Sequence, residues 1–355
     1  MNHTYLYYNI QSTLKQNYGK KPDTLILNRV KEELAWMQCA NMYFTIGFLY
    51  ELTERLKQMN IPYRVKNSGN ASFILYLLGI TRINPLPPHY YCPHCHSVIW
   101  DNTSKCGIDL RKEKHCKTDG AIMLTDGFNI PWQAHLSCDQ EQFFHVSINP
   151  TMYENTLEVL NKTGIYIIEY QSSHNTSRYR NVEAGNIILQ FNLPQTELEQ
   201  SPTEYLNTDA FLEIARNHAL ITTPDLKISI NSFADVISYL GILRSSYTSD
   251  AKLKALVNTL NYKLSELIAC REDLYQYFLE HGCSEHTAFK LMNNVRKGKR
   301  FLNNPPPSDT LISKDKWVIE FCKDVLYLPS KADIIENLLL NPTYQLPVPV
   351  SESVL

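Results

Sequence analysis

Residues 79–95 read GITRINPLPPHYYCPHC. Pro85-Leu86-Pro87-Pro88 lacks a backbone donor at three of its positions and ends regular structure. Cys92 and Cys95 then form a C-x-x-C turn, which offers two thiolates to one metal ion with little strain. Upstream, Phe73, Ile74, Leu77 and Leu78 fit a short buried helix, and residues 63–65 fit a short strand. The stretch therefore joins a small α/β element to a cysteine cluster at about 92–119.

Outward from it, the pattern is mixed. Asp23 can cap a helix that buries Ile26, Val30, Leu34 and Met37. A second stripe runs through Ile46, Leu49, Leu52, Leu56 and Met59. Downstream, residues 145–149 alternate like a strand with Val146 and Ile148 on one face. Residues 151–161 read as a helix, 165–170 as a buried strand, 171–183 as a loop and 187–193 as another strand. Beyond about residue 205 the chain reads as helical. Its stripes are Leu253, Leu256, Val257, Leu260, Leu264 and Leu267, then Ala288, Leu291, Met292 and Val295. Residues 303–308, with three consecutive prolines, read as a linker.

Composition narrows the function classes. The 355 residues are 44% hydrophobic and 20% charged, ordinary for a chain with a real core. No apolar run is long enough for a membrane span, and the N-terminus lacks a signal peptide's basic region and apolar run. A cytoplasmic protein without a membrane partner is expected. Nine cysteines read as thiols or metal ligands rather than a disulfide scaffold. The formal net charge of −2 counts against autonomous tight binding of duplex DNA, which rests on neutralising phosphates. Glycine is scarce, at 12 residues. Phosphate-cradling loops need it for close backbone approach.

Cys106 and Cys116 follow the C-x-x-C turn. Tetrahedral zinc takes four thiolate or imidazole ligands, so a structural Zn2+ is expected, with reduced surface cysteines as the alternative. The residue types leave the fourth ligand open among Cys106, Asp119, His94, His96 and His115.

Residues 79–95 also resemble a signature of the bacterial C-family replicative DNA polymerases (DNA polymerase III alpha subunit, PolC type), in which I-T-x-x-N-P-L-P-P-H-Y runs into C-x-x-C. Tyr18-Gly19, Arg29 and Glu32-Glu33-Leu34 resemble the family's first palm helix. Gly107-Ile108-Asp109-Leu110 and Asp126-Gly127-Phe128-Asn129-Ile130-Pro131-Trp132 resemble its G-x-D-L and D-G-x-x-I-P-F. Cys270 to Leu274, Ala288 to Met292, Val295 to Lys299 and Trp317 to Ala332 resemble fingers segments. The resemblance implies an α+β fold: a polymerase-β-like nucleotidyltransferase palm with a zinc-knuckle insertion, followed by an α-helical fingers-like domain. The implied division is 1–91 (N-terminal helices and first part of the palm), 92–120 (knuckle), 121–204 (rest of the palm, reduced thumb), 205–340 (fingers-like) and 341–355 (flexible tail).

The departures bear on activity. The family holds two metal ions with aspartates in a P-D-x-D-x-N-F strand. Here Phe144-His145-Val146-Ser147-Ile148-Asn149 keeps the asparagine, but His145 and Ser147 stand at the aspartate positions. Neither is a good magnesium ligand, since Mg2+ prefers hard anionic oxygen. Asp209 is the nearest candidate for a third palm aspartate, and Asp139 and Glu141 are the nearest carboxylates to the strand. The family's R-G-S-V-G-S-S phosphate loop corresponds to Lys66-Asn67-Ser68-Gly69-Asn70-Ala71-Ser72. One glycine remains, Gly69, at a shifted position, and Lys66, Ser68, Gly69 and Ser72 mark this degenerate loop. In the second cysteine pair Asp119 replaces the last cysteine, with Cys92, Cys95, Cys106, Cys116 and Asp119 as the metal-ligand candidates.

A basic run, Lys290 to Arg300, places Lys290, Arg296, Lys297, Lys299 and Arg300 at a helix end, where they can answer the helix dipole or contact DNA. The expectation is a truncated, degenerate PolC-like protein, non-catalytic, with Zn2+ and without Mg2+, that binds DNA or replisome proteins as decoy, inhibitor or accessory factor. The alternatives are an active DNA-directed DNA polymerase with an atypical metal site, and a zinc-containing interaction module without DNA contact.

Overall fold

A computed structural model describes residues 3–138, 142–171, 180–193, 209–245, 258, 263–296 and 327–340. The chain divides into two compact units, residues 1–200 and 201–355. No helix among the described residues is long and apolar enough to cross a membrane.

The first unit opens with α1 (His3–Tyr18), α2 (Thr24–Cys39) and α3 (Tyr43–Gln58). Asp23 caps α2 as its sequence implies, its side chain accepting from Leu25 N at 2.9 Å. Ile26, Val30 and Met37 are buried, but the stripe also takes in Glu33 at 0% exposure, while Leu34 is only partly buried. On α3, Ile46, Leu49, Leu52 and Leu56 are buried, whereas Met59, just past the helix, is exposed.

Then come β1 (Tyr63–Lys66), a 3-10 turn (Asn67–Ala71) and α4 (Phe73–Leu77). Strands β2 (His89–Tyr91), β3 (Val98–Trp100) and β4 (Leu124–Asp126) form a small antiparallel sheet in the order β3-β2-β4, and β5 (Phe144–Ile148) leads into α5 (Tyr153–Asn161). Strands β6 (Ile168–Gln171), β7 (Arg180–Ala184) and β8 (Ile187–Gln190) complete a five-stranded sheet, β1-β5-β8-β7-β6. Only the β5–β8 pairing is parallel. One register row, Val65, Val146, Leu189 and Val182, crosses four strands and is buried to 2% exposure or less, in one core with Phe48, Leu49, Phe73 and Leu160.

Two expectations are corrected here. The strand at 165–170 is not buried: it is the sheet edge, and Tyr166 and Ile168 are exposed. The loop expected over 171–183 gives way to β7 from Arg180, because alternate residues Val182 and Ala184 face the core.

In the second unit, α6 (Asp209–Thr222) and α7 (Phe233–Arg244) are followed by a 3-10 turn (Leu264–Glu266), α8 (Arg271–Glu280), α9 (Glu285–Arg296) and α10 (Lys331–Leu340). The stripe Ala288, Leu291, Met292 and Val295 is buried on α9. Leu264 and Leu267 are also buried, but on a 3-10 turn and the chain after it rather than one long helix; Leu253, Leu256, Val257 and Leu260 lie outside the described residues, as do the linker at 303–308 and the tail from 341.

Candidate functional site

The 79–95 stretch is held by a second segment running alongside it. Phe128, Asn129 and Ile130 donate backbone hydrogen bonds to the carbonyls of Asn84, Leu86 and Pro85 at 2.9–3.0 Å. Asn84 Nδ2 donates to Asp126 Oδ2 (2.6 Å) and Tyr18 OH (3.0 Å), and the Tyr76 hydroxyl donates to the same Asp126 oxygen at 3.1 Å. Burial, with the Asp126 charge close by, raises both phenols well above their ordinary range. Gly127 has φ +98, and a Cβ there would meet the Pro87 carbonyl oxygen at 2.3 Å. The two motifs interlock, so their residue types serve packing and hydrogen bonding.

Glu33 organises the loop after β1. Its carboxylate accepts from Ser72 Oγ (2.7 Å), Phe73 N (2.9 Å) and Ile74 N (3.0 Å). Arg29 Nε donates to it at 2.5 Å, and Arg29 Nη2 reaches the carbonyls of Ala71 (2.8 Å) and Ile130 (3.2 Å). Leu75 N donates to Ser72 Oγ and Tyr76 N to Ser72 O. Every N-terminal amide of α4 thus has an internal acceptor, where a phosphate-binding helix would leave such donors for its ligand. Gly69 is buried, and a Cβ on it would stand 2.6 Å from Val65 Cγ1; core packing alone requires it. Ser68 Oγ donates to His135 O at 3.2 Å. Lys66 closes β1 opposite His145.

Ser147 is fully buried and its hydroxyl has no hydrogen-bond partner. Its register neighbours are Arg64 on β1 and Gln190 on β8, while His145 lies between Lys66 and Ile188. Directly paired residues share a face, so the sites flanking both positions carry two cations and no carboxylate. The nearest acidic residue in these rows is Glu183 on β7, opposite Ile188 and two strand spacings from β5, roughly 10 Å. Asn149 Oδ1 accepts from Thr151 N (2.9 Å) and Thr151 Oγ1 (2.7 Å), capping the turn after β5. Asp139 and Glu141 lie outside the described residues; Asp209 sits in the first turn of α6, in the second unit.

Among the described residues, the group with metal-holding geometry is Cys92, Cys95, Cys116 and Asp119, whose ligand atoms all lie within 4.8 Å of one another. Two turns of the same construction build it. Cys92 N donates to Ser97 O and His96 N to Cys92 O; Cys116 N donates to Ala121 O and Gly120 N to Cys116 O. His96 (φ +61) and Gly120 (φ +72) take the left-handed conformation at matching places. Cys95 and Asp119 therefore occupy equivalent positions, each three residues after the first ligand. Cys95 and Cys116 sulfurs lie 3.3 Å apart, and the Cys92 thiol donates to Asp119 Oδ2 at 3.2 Å. The Ser97 hydroxyl and amide bring the Cys95 thiol down to about 7. The Ala121 amide, followed by the neighbouring thiols, lowers the Asp119 carboxyl. Cys106, buried before Gly107, is not in the group. His96 Nδ1 pairs with Asn17 O, His115 pairs with Glu113 and Gly120 O, and His94 lies 4.0 Å from Asp119 with a largely exposed ring.

Residues 4–159 match the family described as "Bacterial DNA polymerase III alpha NTPase domain". "DNA polymerase III PolC-type" of Thermotoga maritima is 22% identical over 90% of this chain and 32% of its own length. The protein of that name from Ureaplasma parvum is 23% identical over 91% of this chain and 30% of its own. That of Staphylococcus haemolyticus is 31% identical over 38% of this chain and 10% of its own. Over most of its length the chain is similar to PolC-type DNA polymerases. It spans about a third of the length of the first two of these PolC relatives.

Lys290 is exposed on α9, and Arg296 ends that helix. Lys297, Lys299 and Arg300 lie outside the described residues.

Two features escaped the sequence reading. One is the Arg29–Glu33 clamp, whose trace is an acidic residue inside an otherwise apolar helical stripe. The other is a bond between Cys39 and Cys138, Cα–Cα 5.9 Å, which corrects the expectation that every cysteine is a thiol or ligand. Their separation of 99 residues leaves no local signal.

Proposed function

We propose that the chain is a non-catalytic PolC-like protein that keeps a palm scaffold with its knuckle and binds DNA or replisome components, as decoy, inhibitor or accessory factor. The observation that carries this reading is Ser147: a fully buried, uncharged residue between Arg64 and Gln190, where the resemblance calls for a metal-binding aspartate. The internally satisfied α4 amides support the same reading.

On this reading residues 1–91 are N-terminal helices and the first part of the palm, 92–120 the knuckle, 121–204 the rest of the palm with a reduced thumb, and 205–340 the fingers-like part. Cys92, Cys95, Cys116 and Asp119 hold a structural Zn2+. Three thiolates and a carboxylate suit zinc and leave no open coordination position for substrate. Lys290, Arg296, Lys297, Lys299 and Arg300 contact DNA phosphates, and the protein works in the cytoplasm.

An electrophoretic shift assay on primed template tests the binding half. Binding that weakens steeply as salt rises, and weakens further when Lys290, Arg296, Lys297, Lys299 and Arg300 are changed to Gln, supports it. No shift at low salt contradicts DNA binding and leaves capture of replisome proteins as the remaining support.

A further inference from the structure

Cys39 is the last residue of α2 and Cys138 lies shortly after the 3-10 turn Trp132–Ala134. Both are exposed, and the bond between them joins places 99 residues apart. Among the described residues the other cysteines, Cys92, Cys95, Cys106, Cys116, Cys270 and Cys283, form no disulfide, and Cys92, Cys106, Cys116 and Cys270 are buried. Thiol–disulfide exchange needs a sulfur that an attacking thiolate can reach. The 39–138 pair meets that condition, whereas buried Cys270 has its thiol pushed well up by desolvation and is inert.

The pair also sits at the end of a line of modest contacts. Arg29 Nη2 donates to Ile130 O at 3.2 Å, and Trp132 Nε1 to Glu32 Oε2 at 3.4 Å. The Trp36 and Trp132 rings lie 6.4 Å apart, and Ser68 Oγ donates to His135 O at 3.2 Å. These contacts lay residues 130–135 along α2 and against the loop after β1, and the bond at Cys138 fastens the end of that segment.

We propose that Cys39 and Cys138 are a reversible thiol–disulfide site, closed by a low-molecular-weight disulfide such as oxidised glutathione, that fastens residues 130–138 to α2. In the closing reaction one cysteine thiolate attacks a glutathione sulfur, breaking the glutathione S–S bond and releasing one glutathione thiolate. The second cysteine thiolate then attacks the mixed disulfide at the protein sulfur and releases the other. Two protein thiols lose two electrons and two protons in total, and one glutathione disulfide becomes two glutathiones. Reduced glutathione reverses both steps. The inference stands whether or not the chain polymerises DNA.

The test equilibrates the full chain in glutathione buffers of varied ratio, traps thiols by alkylation, maps the bridge by peptide mass spectrometry, and follows amide exchange on peptides covering 128–138. The expected result is a 39–138 bridge that forms and opens with the ratio, with exchange at 128–138 about tenfold slower in the oxidised protein. Cys39→Ser and Cys138→Ser should each abolish that difference. The oxidised and the reduced, alkylated wild type supply the same comparison if a variant misfolds. Failure of the pair to form a bridge at any ratio overturns the proposal. So does a bridge that opens and closes with no change in exchange at 128–138.

Discussion

Glu33 Oε2 lies 2.7 Å from the hydroxyl of Ser72, which caps α4, while the same carboxylate takes the amides of Phe73 and Ile74. A carboxylate from α2 thus stands at the start of α4, directly after the loop that follows β1. A second such arrangement exists in the other unit. There Glu272 accepts from Ser330 Oγ, Lys331 N and Ala332 N at the start of α10.

Because Glu33 is fully buried and paired with Arg29, truncating it leaves a cation and several donors without their acceptor. Glu33→Ala should cost about 3–5 kcal/mol, read as a lower denaturant midpoint for the first unit. Glu33→Gln keeps acceptor capacity and should cost roughly 1–3 kcal/mol. Equal losses for the two would deny the charge its role.

Gly127 and Gly69, two of the glycines that pack against backbone or core, should rank by what their Cβ would meet. Gly127→Ala faces the Pro87 carbonyl at 2.3 Å from a φ of +98 and should be the more damaging. Gly69→Ala meets a Val65 methyl at 2.6 Å, with Leu75 and Phe144 side chains at 3.5 Å, and should cost about 1–3 kcal/mol. Denaturation midpoints of the two variants give the order directly.

Knuckle equivalence predicts the sign of an exchange at Asp119. Asp119→Cys should bind zinc more tightly than the natural chain, since thiolate is the softer ligand, and Asp119→Ala more weakly. Competition against a chromophoric chelator measures both. A Cys106→Ala variant with lowered zinc affinity would instead make Cys106 the ligand.

Much of this fold is readable from the sequence where one local rule decides. Asp23 caps its helix, and Val146 with Ile148 marks the inner face of β5. The stripe Ala288, Leu291, Met292 and Val295 marks α9, and the C-x-x-C marks the knuckle. What stays hidden depends on distant partners. Glu33 meets Ser72 across 39 residues, and its burial looks anomalous until that partner is placed. Arg180–Ala184 is polar at alternate places and reads as loop, although Val182 and Ala184 face the core. Ile165 to Tyr170 reads as buried because an edge strand and a central one can share an apolar composition. At the knuckle, matching backbone turns, rather than residue type, point to Asp119 over the histidines.

His89 supplies a pH test. It is fully buried beside Trp100, with Nδ1 2.7 Å from Pro87 O. Desolvation by burial holds its pKa below the ordinary value, outweighing the Pro87 carbonyl and Asp126, which act the other way. The unfolded chain therefore takes up this proton first, near about 6.5. Stability from this group is complete above that value and falls as pH drops through it toward the folded pKa. Denaturant midpoints from pH 8 to 5 should decline more steeply for the natural chain than for His89→Gln; parallel curves would remove His89 from the account.

The central claim is that β5 holds no catalytic metal pair, and primer extension on a primed template with Mg2+ or Mn2+ tests it most directly. The account predicts no elongated product from the purified chain at any enzyme concentration. Template-dependent synthesis that withstands repurification, and is lost when residues flanking Ser147 are changed, would contradict it.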